Sequence, residues 1–90
     1  MKFISSQCYL NIGLEAIILV RVSSSFQGNI EKVLKISGVK KVYELTGDID
    51  LLIEVEASSE TDLRRIVDEI LNIKGVESTD TRVILSRMVK

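Results

Sequence analysis

Ninety residues make one small domain, and a domain of that size buries well under three quarters of its unfolded surface. The apolar fraction is 46% but aromatics are only 4%, so the core must be aliphatic. Twelve basic and 13 acidic residues give a formal charge of −1, a poor balance for holding a phosphate backbone unaided. Histidine is absent, which removes the commonest general base and metal ligand. Cys8 is the single cysteine, so no internal disulfide and no CxxC motif exists; it reads as a small, partly buried hydrophobe.

Residues 8–20, "CYLNIGLEAIILV", are apolar but short and interrupted by Asn11 and Glu15, so no membrane span is expected. No secretory signal stands out after Lys2. The expected setting is the cytoplasm.

"EAIILVRVS" (15–23) is β-branched and apolar on both faces, and reads as a central strand. The period then changes. Phe26, Ile30, Val33 and Leu34 recur at helical spacing, with Ser24 and Gln27 placed as a capping box and Gly38 as a stop. "KKVYELT" (40–46) and "DLLIEVEA" (50–57) are two strands joined tightly enough to form a hairpin. "SSETDLRRIVDEILNIKGV" is helical through Leu63, Ile66, Val67 and Ile70, with Ser59 and Asp62 at capping-box spacing and Gly75 at its end. "STDTRVILS" (78–86) closes the chain as a strand that sets Thr79, Thr81, Val83 and Leu85 on one side.

"VLKISGVKKV" (33–42) returns as "ILNIKGVEST" (70–79), 37 residues later. Two strand-helix-strand units give an α+β, ferredoxin-like βαββαβ domain over residues 15–90. Its four-stranded antiparallel sheet carries two helices on one face. Residues 1–14 fit this plan least well and are set apart as an extension or arm. The helices leave one sheet face open. Alternation puts Ile17 and Leu19 of the first strand there, with Leu52 of the third and charges towards the margin. An apolar patch of that kind marks an association surface. It predicts a homodimer packed sheet to sheet about a two-fold axis.

Nothing in the chain has the pattern of a catalytic set, a phosphate-cradling loop, a metal site or a bound cofactor. Glu54 and Glu56 read as a solvated strand face, and Arg64-Arg65 and Lys40-Lys41 as solvating or ion-pairing residues. The hairpin loop from Leu45 to Asp50 is richer than a turn requires. Gly47 can adopt positive φ and bare its N–H. Asp48 or Asp50 can accept backbone amides, as turn acids do, or a ligand ammonium. Free N–H groups and a carboxylate at close range would suit a zwitterionic amino acid.

Several pieces together resemble the effector-binding domain of the Lrp/AsnC family, also called the regulation-of-amino-acid-metabolism (RAM) domain. They are "AIILVRV", "ISGVKKVYELTGDIDLLIEVE", "LNIKGVESTDTRVIL" and "SRMVK". The specific elements are Gly-x-x-Asp, here Gly47 to Asp50, and Gly-Val-x-x-Thr-x-Thr, here Gly75 to Thr81. The resemblance implies dimers joined through their sheets, assembly into rings that are commonly octamers, and a small effector bound between dimers. By position it points to Tyr43, Leu45, Thr46, Gly47, Asp48 and Asp50, with Thr79 and Thr81 as weaker candidates. Regulators of this family carry an N-terminal helix-turn-helix domain, for which the 14 residues before this fold are too few. The resemblance therefore implies a stand-alone form without direct DNA binding, acting through a partner such as a full-length relative.

An ACT-like regulatory module shares the strand order and the kind of ligand, but uses the turn after the first strand, here "SSSFQGN". A small dimeric α+β-barrel enzyme is the third reading; the lack of histidine counts against it.

Overall fold

The computed structural model describes residues 13–90. Cys8 and most of the expected extension lie outside the described residues. Seven elements follow in order: β1 (Leu14–Val22), a single 3-10 turn (Ser24–Phe26), α1 (Ile30–Leu34), β2 (Val39–Glu44), β3 (Leu51–Ala57), α2 (Glu60–Leu71) and β4 (Val76–Val83). The strands form one antiparallel sheet in the order β2-β3-β1-β4. This is the expected ferredoxin-like βαββαβ arrangement.

The register explains the core. Ala16, Ile18 and Val20 of β1 stand opposite Val55, Ile53 and Leu51 of β3, and all six are buried under the helices. Val33 and Ile36, from α1 and the residues after it, cover them together with Leu63, Ile66 and Ile70 of α2. A fully buried isoleucine contributes about 1.5–3 kcal/mol over an exposed one. Ile18, Ile53, Ile66 and Ile70 therefore carry much of a core in which Phe26 is the one aromatic among the described residues.

The internal repeat is structural. Gly38 and Gly75 both end their helical segments at positive φ, +102° and +92°. In each, the following valine N–H donates to the isoleucine carbonyl three residues back: Val39 to Ile36 and Val76 to Ile73, both at 3.1 Å. A left-handed glycine after the last helical turn satisfies carbonyls that the helix leaves unpaired.

The first helical unit departs from expectation. Gly28, at φ +79°, divides it, leaving a 3-10 turn and a five-residue α1. The 3-10 turn is capped by Ser23 rather than Ser24. Leu34 is half exposed, and Ile36 takes the core position instead. So short a helix buries a narrow face, and Leu34 lies about 100° around it from Val33. α2 follows expectation. Ser59 Oγ accepts from the Asp62 N–H at 3.1 Å, and Asp62 Oδ2 accepts from the Ser58 N–H at 2.8 Å, a near relative of the capping box.

Candidate functional site

Three connections meet at one end of the sheet: Ser23–Asn29 after β1, Leu45–Asp50 between β2 and β3, and Lys74–Gly75 before β4. Asp50 ties the first two together. Its N–H donates to the Val20 carbonyl at 3.0 Å and its carbonyl accepts from the Leu45 N–H at 2.9 Å. Its Oδ2 accepts from the Val22 N–H at 2.8 Å. The carboxylate thus stands in for the strand carbonyl that β3 no longer supplies, at the point where the β1–β4 register shifts between Arg21 and Val22. Ser23 N–H donates to the Gly75 carbonyl at 2.7 Å, and Asn29 Nδ2 to the Lys74 carbonyl at 3.1 Å.

Gly47 sits in the exposed loop at φ +101° with open space where a Cβ would stand. Thr46, Gly47 and Asp48 are exposed, while Ile49 and Asp50 are half-buried. The loop therefore presents backbone and one exposed acid, Asp48, and keeps the other acid, Asp50, anchored through Oδ2. Leu45, half exposed, lies at its entry.

The remaining candidates divide between the two sheet faces. Tyr43 stands opposite Leu52 on the open face, and its hydroxyl lies 3.1 Å from Glu54 Oε2, donating to it. Thr79 and Thr81 stand opposite Val20 and Ile18, on the face the helices cover. Thr79 shares the loop's end of the sheet. Thr81 instead lines a groove of about 570 Å³ between α2 and β4, with Leu14, Leu63, Arg64, Val67 and Val83. Within one protomer, Tyr43 and the threonines are separated by the sheet itself.

On the open face Leu19 pairs with Leu52, and Ile17 with Glu54. Their neighbours across β4 are Asp80 and Arg82, which form an ion pair at 3.0 Å. Lys40 Nζ lies 3.3 Å from a Glu56 carboxylate oxygen, and Arg87 3.2 Å from that of Glu15. A short apolar stripe with charged borders results, as alternation within each strand had implied.

Arg65 forms ion pairs, one of the two roles expected of the arginine pair, and also bonds to backbone. It donates to Asp62 Oδ1 at 2.9 Å, to Glu69, and to the Ser37 carbonyl at 2.9 Å. It thereby fastens α2 to the turn between α1 and β2. The backbone hydrogen bond from Ser58, followed by the Arg65 guanidinium, lowers the Asp62 pKa below 3.8. Among the described residues no cluster of three or more His, Cys, Asp or Glu side chains is arranged to hold a metal ion. No described helix is long and apolar enough to cross a membrane.

The ferredoxin-like sheet, with an anchored acidic loop at one end and an open apolar face, defines an α+β domain class that serves many functions, and comparison with known proteins narrows it. Residues 15–90 match the Lrp/AsnC ligand binding domain, and the chain belongs to that family. It is 44% identical over 57 residues to a homocitrate synthase of Sulfolobus acidocaldarius, a match spanning 63% of this chain and 12% of that protein. It is 46% identical over 55 residues to the HTH-type transcriptional regulator LysM of Saccharolobus solfataricus, spanning 61% of this chain and 39% of LysM. The chain thus spans well under half the length of these relatives.

Two solved structures extend the comparison. A transcriptional regulator from Neisseria meningitidis, in complex with L-Met, superposes with a TM-score of 0.81 at 22% identity. That match covers all of this chain and 61% of the regulator, and at such identity it shows the fold. A protein from Thermus thermophilus superposes at 0.76 with 28% identity, over 86% of this chain and 99% of its own.

Proposed function

We propose that the chain is an effector-binding and oligomerisation module that senses a small zwitterion, an amino acid, and regulates transcription or amino-acid metabolism without catalysis of its own. The observation that carries this reading is the loop after β2. Gly47 is held at φ +101° with its surroundings open, while Asp50 is pinned to Val22 through one oxygen only. An exposed N–H suits a carboxylate, and the second Asp50 oxygen or Asp48 suits an ammonium. Tyr43, Leu45 and Thr46 would complete the site, with Thr79 and Thr81 supplied by a neighbouring protomer, because the sheet separates them from Tyr43 within one chain.

The family supports an effector role, and the Neisseria regulator's complex with L-Met supports the ligand class. Ile17, Leu19 and Leu52 are proposed to seal a sheet-to-sheet homodimer that assembles further, with an octamer as the expected ring. An effector that prefers one assembly then shifts its population. Output would pass through a partner, such as a full-length relative. The proposed setting is cytoplasmic.

A thermal-shift screen of the common amino acids tests this reading. At least one should raise the melting temperature, as mass action requires of a ligand that binds the native state. A flat response to all of them would remove the ligand from the proposal.

A further inference from the structure

We propose that the outer edge of β4 pairs with the same edge of a second copy of this chain, antiparallel and about a two-fold axis at Thr81. β4 ends the strand order and, among the described residues, has β1 as its one partner. Its backbone directions are fixed. Ile84 donates its N–H to the Glu15 carbonyl at 2.8 Å, and Arg82, Asp80 and Ser78 stand opposite Ile17, Leu19 and Arg21. Antiparallel strands bond through alternate residues. These four β4-side residues therefore direct their N–H and C=O groups to β1, and Thr79, Thr81 and Val83 turn theirs outward.

Proteins blunt such an edge with lysine, proline, a bulge or a covering helix. β2, the other edge of the sheet, carries Lys40 and Lys41 and a register shift between Val39 and Lys41. Residues 78–83 of β4 pair regularly with β1 and contain neither lysine nor proline. α2 stands back from them across the groove that Thr81 and Val83 line. β4 is thus the edge left open.

This edge is complementary to itself. A two-fold axis at Thr81 sets that residue opposite its own copy and Thr79 opposite Val83, and these are the residues whose backbone groups point outward. The same register sets Asp80 opposite Arg82 of the second copy, once on each side of the axis. Such pairs, between the hydrogen-bonded ones, stand about 4.5 Å apart at Cα. Within one chain Asp80 and Arg82 form an ion pair at 3.0 Å, with both side chains more than half exposed. That pair uses Nη2 of Arg82, and a guanidinium has further N–H donors on its other nitrogens. The second copy therefore closes a ring of alternating charges without breaking the pair already present. A shift of two residues either way would instead set Asp80 or Arg82 against its own copy.

The two sheets then continue as one of eight strands, four from each copy, with the helices on a common face and the α2–β4 grooves adjoining across the seam. Backbone groups make the seam, so the Thr79 and Thr81 side chains stay on the helix-covered side. The proposed sheet-to-sheet dimer uses a face and not an edge, and the β4 pairing does not depend on it.

The test uses the full chain and the variants Asp80→Arg and Arg82→Asp. Either variant alone sets like charges opposite one another at the seam; an equimolar mixture restores opposite charges in the mixed pair. Sedimentation reports the assembly, and amide hydrogen exchange reports the edge itself. Each variant should self-associate at least about tenfold more weakly than the parent, and mixing should restore the parent's association. The N–H groups of Thr79, Thr81 and Val83 should be protected in the parent and in the mixture, and should exchange fast in each variant alone. Variants that associate as the parent does, or a mixture no tighter than its components, would overturn the pairing. A parent that is dimeric while those N–H groups exchange fast would overturn it too, and would leave the sheet-to-sheet dimer standing.

Discussion

The carboxylate of Asp50 accepts the backbone N–H of Val22 at 2.8 Å, across 28 positions of sequence. One side chain thus closes the β1–β3 ladder and sets the base of the exposed loop. Asp50→Ala removes the acceptor from a half-buried N–H and should cost about 1–3 kcal/mol. Asp50→Asn keeps an oxygen and should cost less than about 1 kcal/mol. Urea denaturation of the two variants checks the difference; equal losses would mean that the Val22 bond is not what Asp50 contributes.

Two glycines at positive φ should respond unequally. A side chain at Gly47 meets open space, so Gly47→Ala bears only backbone strain of about 1–2 kcal/mol. A Cβ at Gly75 would run into the backbone N and Cα of Phe26. Gly75→Ala should add overpacking of about 1–3 kcal/mol to the same strain. Denaturation midpoints for the pair measure this, and a Gly75→Ala loss no larger than that of Gly47→Ala would contradict the packing.

Asp62 gives the fold an acid-sensitive contact. The Ser58 N–H, then Arg65, lowers its pKa in the folded state below the 3.8 of an unperturbed carboxyl. The sign follows from linkage: the unfolded chain takes up the proton first. The stabilisation is complete above the unfolded value and is lost as pH falls through the folded one. Asp62→Asn should therefore melt below the parent at neutral pH, and the gap should close in acid below pH 3.8. A gap that does not change with pH would assign the loss to something other than the charge.

Leu19 and Leu52 face each other on the open side of the sheet. Leu19→Lys leaves the helix-covered core untouched but places an ammonium in the proposed interface. Light scattering should find the parent dimeric or larger and the variant dissociated, with helix and strand content kept. A dimeric variant of unchanged affinity would move the interface elsewhere.

The strands, the repeat glycines and the alternating residue sets of each strand could be read from the sequence, because they follow from period-two alternation or from a fixed turn conformation, and the strand-helix-strand repeat supplied the arrangement. Leu51, Ile53 and Val55 are buried together for that reason. Alternation sorts residues within one strand, however, and does not say which side of the sheet a set occupies. Only the pairing of Thr79 with Val20 and of Tyr43 with Leu52 puts these candidates on opposite faces. The Asp50–Val22 bond was hidden for a related reason, since its acceptor is a side chain and its donor a backbone group with no residue signature. In the first helix, apolar spacing ran through Gly28 as though it were helical. The chain instead turns there at φ +79°, and Leu34 loses its place in the core to Ile36.

The most direct measurement is calorimetric titration of the parent, Asp48→Asn and Asp50→Asn with an amino acid that raises the melting temperature. If Asp50 meets the ligand ammonium, Asp50→Asn should weaken binding by about 1.5–3 kcal/mol, Asp48→Asn should weaken it less, and folding and dimerisation should be nearly unchanged. Equal affinities for all three proteins would contradict the account and leave both acids as local hydrogen-bonding residues of a turn.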